Sequence, residues 1–506
     1  MRVIGFYTKG LTFNGNTVNE KGLGGSESAI VYIAREFAKN DNEVIVFCHC
    51  DRTGVYDGVL YLDIDASYSD AVRNYNFDIF ISSRFTYHLF SNPVKSNLMI
   101  LWLHDIPYET MSHWVEYLWQ IDRVYVLSQY HRDLFIQKYP QVSNKLGLIS
   151  NGFDLDLVNT VNAEVTSPKD RLNHFVYASR PERGLRFLLE RVWPAVINQN
   201  PKAVLHIAGY ETHDKTFALP DLLLKEYDEI DKIASQTPQV IMHGSLPKKK
   251  WYILLKQCGF MLYPTDFPEI FCINVVEAQA LGCIPITSRN FAFLETVKDN
   301  NLLIPHSPAK EPARYVEEIL KKLSELIKNN NSVGMAERVS KAVKEQYSWN
   351  LVAQKWLEDL NGLLTKKQTI HDYNTVHSAL KFYQAGSLQQ AATILITILE
   401  THPDNVDALL ALAFICSELK NYDLAMTCID SVIKINENTN LLKCPFNSFN
   451  DKTFRETISL CMIVKNEENN LIKCLMHTKS IVHEIIIIDT GSTDSTSQLP
   501  PPEEVA

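Results

Sequence analysis

Short continuous apolar runs alternate with longer amphipathic stretches through the first two-thirds of the chain. Runs at 3–7, 44–47, 78–82, 98–103 and 123–127 have the length and unbroken apolar character of parallel strands buried on both faces. Between them the spacing predicts helices, among them 26–39 and 128–138, the latter opened by Ser128 as N-cap. The scheme repeats over 173–345, with strands expected at 174–178, 204–208, 240–243, 259–263 and 284–287. Two alternating series predict an α/β protein of two Rossmann-like domains, 1–165 and 166–366, with a central cleft between their parallel sheets. A further helix is expected over 349–363.

The pattern changes near residue 370. Strand character disappears, and Ala379, Gly386, Leu388, Ala391 and Leu395 recur 34 residues later as Ala413, Lys420, Tyr422, Ala425 and Ile429. A 34-residue helical period resembles the tetratricopeptide repeat, with Ala391 and Ala425 at the site where two helices approach closely and Pro403 ending the first unit. An α-helical repeat segment is therefore expected over 370–440, open to a protein partner. Two such units fall short of the three usually needed for independent stability, so they should lean on a neighbouring domain.

Composition narrows the setting. A chain of 506 residues suggests about three domains, and 46 % hydrophobic with 21 % charged residues is ordinary for a globular protein. A net charge of −10 argues against non-specific nucleic-acid binding. No apolar run approaches the length of a transmembrane segment, and Met1–Lys9 is charged again too soon for a secretory signal. The 10 cysteines form no disulfide framework, and Cys48-His49-Cys50 has no second ligand pair nearby, so it reads as core cysteine rather than a metal site. Reduced thiols and a cytoplasmic setting, free or peripheral at a membrane, are expected.

Candidate chemistry concentrates around Glu269 and Glu277. Seven residues separate them, in the run Pro268-Glu-Ile-Phe-Cys-Ile-Asn-Val-Val-Glu-Ala-Gln-Ala-Leu-Gly282. The first falls on a strand-to-helix loop and the second inside the helix. A ligand over the helix N-terminus could meet both carboxylates through hydroxyls and the free amides through phosphate. Two acids at this spacing also occur on ordinary amphipathic helices. The flanking Phe271, Ala278-Gln-Ala280 and Gly282-Cys-Ile-Pro285 tip the reading. Together they resemble the E-x7-E signature of retaining glycosyltransferases of the GT-B fold, family 4 (glycosyl transferases group 1).

That resemblance covers roughly the first two-thirds of the chain and implies roles for further residues. Gly24 and Gly25, in Gly22-Leu-Gly-Gly-Ser-Glu-Ser28, match the loop facing donor phosphate and acceptor. His104, in Leu101-Trp-Leu-His-Asp105, would contact the donor sugar or the reaction centre. Arg180 and Arg183 would neutralise the leaving diphosphate. The family's second position here is usually Lys, after a longer loop, so the charge is kept and the geometry altered. Glu269 would hold sugar hydroxyls and Glu277 the ribose. Phe271, Cys272 and Ile273 would line the donor, and Ser245 of Gly244-Ser-Leu-Pro247 the base. Ser150-Asn-Gly-Phe-Asp154 matches the turn that closes the first domain. Where Glu-Gly-Phe-Gly is common, this chain has Glu269-Ile-Phe-Cys272, similar to a variant in a subgroup of the family.

The resemblance thus implies an enzyme of hexosyltransferase type. It would move a sugar from a nucleotide-sugar donor to an unknown acceptor (glycan, lipid or protein), with no metal or other cofactor. No Asp-x-Asp metal motif stands in a suitable loop of this region. Two other readings stay open: a helical-repeat interaction protein whose GT-B unit is inert, and a GT-B sugar epimerase or phosphorylase. Residues 455–498 resemble something else. Thr457-Ile-Ser-Leu-Cys-Met-Ile-Val-Lys-Asn-Glu-Glu468 followed by Glu484-Ile-Ile-Ile-Ile-Asp-Thr-Gly-Ser-Thr-Asp494 matches the opening strand–helix–strand of a family 2 (GT-A) glycosyltransferase. In that family Asp489 and Asp494 would lie near the nucleotide. The rest of that fold is missing after Asp494, so a truncated α/β fragment is expected.

Overall fold

The structure, a computed structural model, describes residues 1–68, 75–84, 94–107, 118, 120–209, 221–328, 331–369, 376–439, 459–464, 484–489 and 493–494. Parts of every expected domain, including most of 455–498, lie outside the described residues. The chain divides into two compact units, 1–441 and 442–506.

The first lobe of unit 1 is built on eight strands: β1 (Val3–Tyr7), β2 (Glu43–Cys48), β3 (Gly54–Tyr56), β4 (Val59–Asp63), β5 (Phe77–Ser83), β6 (Ser96–Trp102), β7 (Arg123–Val126) and β8 (Leu146–Leu148). Their order is β3-β4-β2-β1-β5-β6-β7-β8, parallel except for the β3–β4 hairpin. That hairpin turns on Asp57 and Gly58, both at positive φ (49° and 80°), the backbone a two-residue type I′ turn requires. The Asp-Gly pair is a legible hairpin signal that a search for apolar runs passes over, as it passes over the three-residue β8. The second lobe has six parallel strands, β9 (His174–Ala178), β10 (Val204–Ala208), β11 (Val240–Gly244), β12 (Phe260–Tyr263), β13 (Ile284–Ser288) and β14 (Leu303–Ile304), in the order β11-β10-β9-β12-β13-β14. In both sheets the order reverses beside the first strand, the point where such sheets open a ligand crevice at their C-terminal ends.

The chain crosses between lobes twice, and the two crossings are bonded together. Phe153 N donates to Tyr347 O (2.9 Å), and Trp349 N to Phe153 O (3.0 Å). Asp154 then caps helix Leu155–Glu164 by accepting from Leu157 N (2.9 Å). After the second crossing, helix Trp349–Thr369 returns to the first lobe. Trp356 is buried edge-on against Trp102 and Tyr125, and Asp359 accepts from both Arg123 nitrogens (2.9 and 3.0 Å) and from Tyr125 Oη (2.5 Å).

Four helices come next: Val376–Gln384, Leu388–Thr401, Val406–Glu418 and Tyr422–Thr439. The 34-residue period is visible in their caps. Gly386 (φ 79°) and Lys420 (φ 60°) occupy the same left-handed position, and the following amides of Ser387 and Asn421 reach back to Phe382 O (2.9 Å) and Cys416 O (2.8 Å). Ala391 and Ala425 are buried at the close approach. The first helix is seated on the first lobe, where Gln384 Nε2 donates to Val94 O (3.3 Å), and Lys145 pairs with Asp407 (3.2 Å). The two repeats thus have the support that their number demands.

In unit 2, β15 (Ser459–Val464) and β16 (Glu484–Asp489) pair in parallel with Ser459 opposite Glu484. No helix among the described residues is long and apolar enough to cross a membrane.

Candidate functional site

The site forms where the C-terminal ends of both sheets face each other. Gly184 explains the loop that carries the arginines. Its φ is 111°, and a Cβ there would stand 1.9 Å from Pro264 O, so only glycine lets the turn after β9 press against the loop after β12. This brings Arg183 to Glu269: Nη1 donates to Oε1 at 3.0 Å, and Tyr263 Oη donates to the same oxygen at 2.6 Å. The guanidinium also lies 3.9 Å over the Phe267 ring. Glu269 is buried, and its charge is held by one cation and one phenol. Burial, then the Glu269 carboxylate, pushes the Tyr263 phenol well above its usual range, so it remains a donor. Arg180 is placed differently. Its side chain is half exposed and pairs with Glu182 (3.2 Å), which also accepts from Tyr227 Oη (2.6 Å).

Glu277 sits in helix Ile273–Ala280, 1 % exposed and fully engaged. Lys248 Nζ (2.8 Å), Trp251 Nε1 (2.7 Å) and Tyr252 Oη (3.1 Å) all donate to it. These donors come from helix Lys248–Gln257, directly after Gly244-Ser-Leu-Pro247. The basic-aromatic run Lys248-Lys-Lys-Trp-Tyr252 is the sequence signal that could have found them. Cys272 is the N-cap of the Glu277 helix and has no oxygen to offer its amides. Phe271 and Cys272 are both buried, and the Phe271 ring packs edge-on against Tyr347 at 5.3 Å. Both side chains belong to the hydrophobic core of the lobes. Ile273 reaches across the cleft, its Cδ1 3.6 Å from where a Gly25 Cβ would be. Likewise a Gly22 Cβ would stand 2.0 Å from Ser245 Oγ. The glycine loop of one lobe and the candidate donor loops of the other are therefore in direct contact.

On the first lobe the loop serves a cluster that the motifs contained but the sequence did not single out. Glu27 is 3 % exposed, and a Cβ on Gly24 would stand 2.4 Å from its Oε2. Arg84 Nη1 lies 3.6 Å from Glu27 Oε1, and Arg84 Nε donates to Asp105 at 2.7 Å. Arg84 has φ 68°, a conformation that bulky residues seldom adopt. His104 precedes Asp105, with its ring 4.3 Å from that of Trp102. Its Nε2 is buried with no hydrogen-bond partner among the described residues. Burial, then the neighbouring Arg84 guanidinium and His131 ring, holds its pKa well below the usual range, so the ring is neutral. A neutral imidazole with an open nitrogen can exchange a hydrogen bond with a ligand hydroxyl. His131 is satisfied instead: Leu127 N donates to Nδ1 (3.2 Å), which assigns the proton to Nε2, facing Asp105 O (2.9 Å).

The lobes are also tied away from these loops. Glu295 of the second lobe accepts from the amides of Gln129 (2.8 Å) and Tyr130 (2.9 Å), which open helix Gln129–Lys138 of the first.

Two parallel α/β lobes, a doubly bonded crossing and a return helix define the GT-B architecture. Residues 161–346 match the family described as glycosyl transferases group 1, and 382–443 the tetratricopeptide repeat. Among solved structures, the chain is similar to sucrose-phosphate synthase from Thermosynechococcus elongatus (TM-score 0.55, 14 % identity, 72 % of this chain and 100 % of that one). It is also similar to a glycosyltransferase from Rickettsia africae (0.54, 13 %, 72 % and 98 %) and to Anabaena Alr3699/HepE in complex with UDP and glucose (0.54, 17 %, 72 % and 100 %). In sequence, 257 residues are 21 % identical to lipopolysaccharide 1,2-N-acetylglucosaminetransferase of Salmonella typhimurium, covering 48 % of this chain. The chain spans 63 % of the length of that relative.

Proposed function

We propose that this protein is a glycosyltransferase that moves a sugar from a nucleotide-sugar donor to a hydroxyl acceptor, with retention at the anomeric carbon and without a metal. The observation that carries the reading is the Arg183–Glu269–Tyr263 cluster. It is a buried carboxylate beside a cation, at the C-terminal edge of the second sheet, in the segment that matches the transferase family and against the glycine loop of the opposite lobe. In this reading Arg183, with Arg180 swinging off Glu182, stabilises charge on the diphosphate as the glycosidic bond breaks. Glu269 accepts from sugar hydroxyls. Glu277 accepts from the ribose, which requires Lys248 or a neighbouring donor to yield one of its bonds. His104 offers its open nitrogen to the sugar. The UDP-bearing relative and the lipopolysaccharide transferase relative support a nucleotide-sugar donor and a glycan acceptor.

The repeats support a protein partner alongside this activity. The parallel pairing of β15 and β16 supports the family 2 likeness of 455–498, since a strand–helix–strand opening pairs its strands in that sense. A panel of nucleotide sugars tests the proposal: release of the nucleoside diphosphate from at least one, lost in Glu269→Gln, supports it. No release with any donor overturns it, and a product epimerised without transfer moves the assignment to the epimerase reading. Nuclear magnetic resonance of the product's anomeric proton decides retention.

A further inference from the structure

Tyr263 ends β12, six residues before Glu269, and is only 2 % exposed, so its phenol lies beneath the candidate site rather than in it. The ring packs edge-on against Tyr177 (5.6 Å, 77°) and Phe293 (5.7 Å, 89°), and Thr287 Oγ1 donates to the Tyr263 carbonyl at 2.7 Å. After Tyr263 the chain folds back. Phe267 N donates to Thr265 Oγ1 (2.9 Å), and Glu269 N to Phe267 O (2.8 Å). Ala292 N donates to Glu269 O at 3.1 Å. The backbone of Glu269 is thus pinned through both its amide and its carbonyl, above a ring that packing holds still.

The two carboxylate oxygens of Glu269 are used unequally. Oε1 takes both donors, Tyr263 Oη at 2.6 Å and Arg183 Nη1 at 3.0 Å. Oε2 accepts from none of the described residues and is not a buried atom, so it is the oxygen left to solvent and ligand. The order of the protons follows. A carboxylate only accepts, so the one phenol hydrogen goes to Glu269. The 3.0 Å contact between Ser179 Oγ and Tyr263 Oη is then donated by Ser179. Two bonds run in one direction, from Ser179 to Tyr263 to Glu269, and each polarises the next. Arg183 has a competing claim, since it is also the cation proposed to meet the leaving diphosphate. Any shift of its guanidinium in that direction leaves Tyr263 as the donor that holds Glu269.

We propose that Tyr263 is a positioning residue for sugar transfer: it holds Oε1 of Glu269 throughout the reaction, so that Oε2 stays aimed at the donor sugar, and Ser179 keeps the phenol proton directed at Glu269. The inference rests on the transferase reading given above and adds two residues that act through Glu269. A ligand carboxylate fixed by one oxygen on a locked ring is pre-organised for the sugar, whereas one held by Arg183 alone would lose its orientation when that cation moves.

Steady-state kinetics of the full chain, with the donor that wild type uses, test this. Tyr263→Phe keeps the ring and removes the hydroxyl. Its kcat should fall about tenfold or more, while donor KM and nucleoside diphosphate affinity stay within about threefold. Ser179→Ala should move kcat the same way by about threefold, and it carries the test if Tyr263→Phe does not fold. The decisive comparison is a double variant. Because Tyr263 acts only through Glu269, adding Tyr263→Phe to Glu269→Gln should cost no further activity. A merely structural role would instead multiply the two losses, and that result overturns the proposal. So does an unchanged kcat in Tyr263→Phe, or a loss of diphosphate affinity that matches the loss of kcat. The two levels fail separately: wild type that releases diphosphate from no donor removes the transferase reading and this inference with it, whereas active wild type with an unaffected Tyr263→Phe removes this inference alone.

Discussion

Lys248 Nζ sits 2.8 Å from Oε1 of Glu277, a carboxylate only 1 % exposed whose other donors are an indole and a phenol. Burying such a pair is costly, and the cost is offset only when every lone pair is met. The arrangement gives Glu277 a fixed orientation and a ready competitor for any ribose that would use it.

Glu277→Gln keeps the shape but loses the charge that holds Lys248. Nucleoside diphosphate binding should weaken about tenfold, the loss of about 1.4 kcal/mol when a charged acceptor becomes a neutral one. Calorimetric titration with UDP, ADP and GDP measures it. Unchanged affinity for whichever binds wild type would remove Glu277 from the donor site and leave it as a structural acid.

Glu269→Gln should behave differently. Its partners Arg183 and Tyr263 meet it from the sugar side of the proposed site, so diphosphate binding should stay within about threefold while sugar transfer falls a hundredfold or more, the range seen for lost transition-state contacts. Equal loss of binding in both glutamate variants would contradict this division of roles.

The fold was legible because buried parallel strands write themselves as continuous apolar runs. Residues 174–178 and 204–208, read from pattern alone, coincide with β9 and β10. The hairpin strand Gly54–Tyr56 is half exposed and only three residues long, and no run marked it. The site was legible only where motif residues touch one another. Arg183 and Glu269, 86 residues apart in the chain, are brought into contact at 3.0 Å. Glu27, Arg84 and Lys248 were invisible as partners because their contacts join residues 57, 21 and 29 positions apart, and no local pattern encodes that. Phe271 is a motif position whose side chain is buried and packs edge-on against Tyr347, a contact 76 residues away that the motif does not encode.

The two glycines of the loop should separate cleanly. A Cβ at Gly24 meets Glu27 Oε2 at 2.4 Å, while one at Gly25 meets Ile273 at an ordinary 3.6 Å. Gly24→Ala should therefore cost about 1–3 kcal/mol of stability by forcing the buried Glu27–Arg84 pair apart. Gly25→Ala, at the first residue of a helix, should leave the melting temperature unchanged and lower diphosphate affinity, since the added methyl enters the cleft. Differential scanning calorimetry with and without nucleotide reads both. A stable Gly24→Ala variant would show that Glu27 is free to move.

His131 is completely buried, and burial pushes its pKa down to about 4. In the unfolded chain it titrates near its ordinary value of about 6.5. Between those values the unfolded state binds the extra proton, so stability is full above the upper one and falls as pH drops through the lower one. Urea unfolding at pH 7, 6, 5 and 4 should show a decline, to which this residue adds on the order of 1 kcal/mol per pH unit in the steep part. His131→Gln should lower stability at pH 7 and flatten that decline. An equally steep profile in the variant would assign the acid sensitivity to other groups.

Transfer should not need the repeats or the segment beyond them. The return helix makes its anchoring contacts, Trp356, Asp359, Leu360 and Leu364, before residue 365, and none of the proposed site residues lies beyond Glu277. A chain ending after Thr369 should keep full turnover of donor and small acceptors. Its first lobe, however, loses helix Val376–Gln384, whose Gln384 bonds Val94 O, so it should be less soluble and melt a few degrees lower. Ending after residue 441 keeps that helix and the whole of the first compact unit. It also removes the Ile485-Ile-Ile-Ile488 run, which combines high strand propensity with no charge and favours aggregation if unpaired. This longer chain should match the full chain in melting temperature and exceed it in recovery from gel filtration. Activity lost in the 369 chain but kept in the 441 chain would mean that the repeats hold the acceptor, a role their seat beside β6 permits.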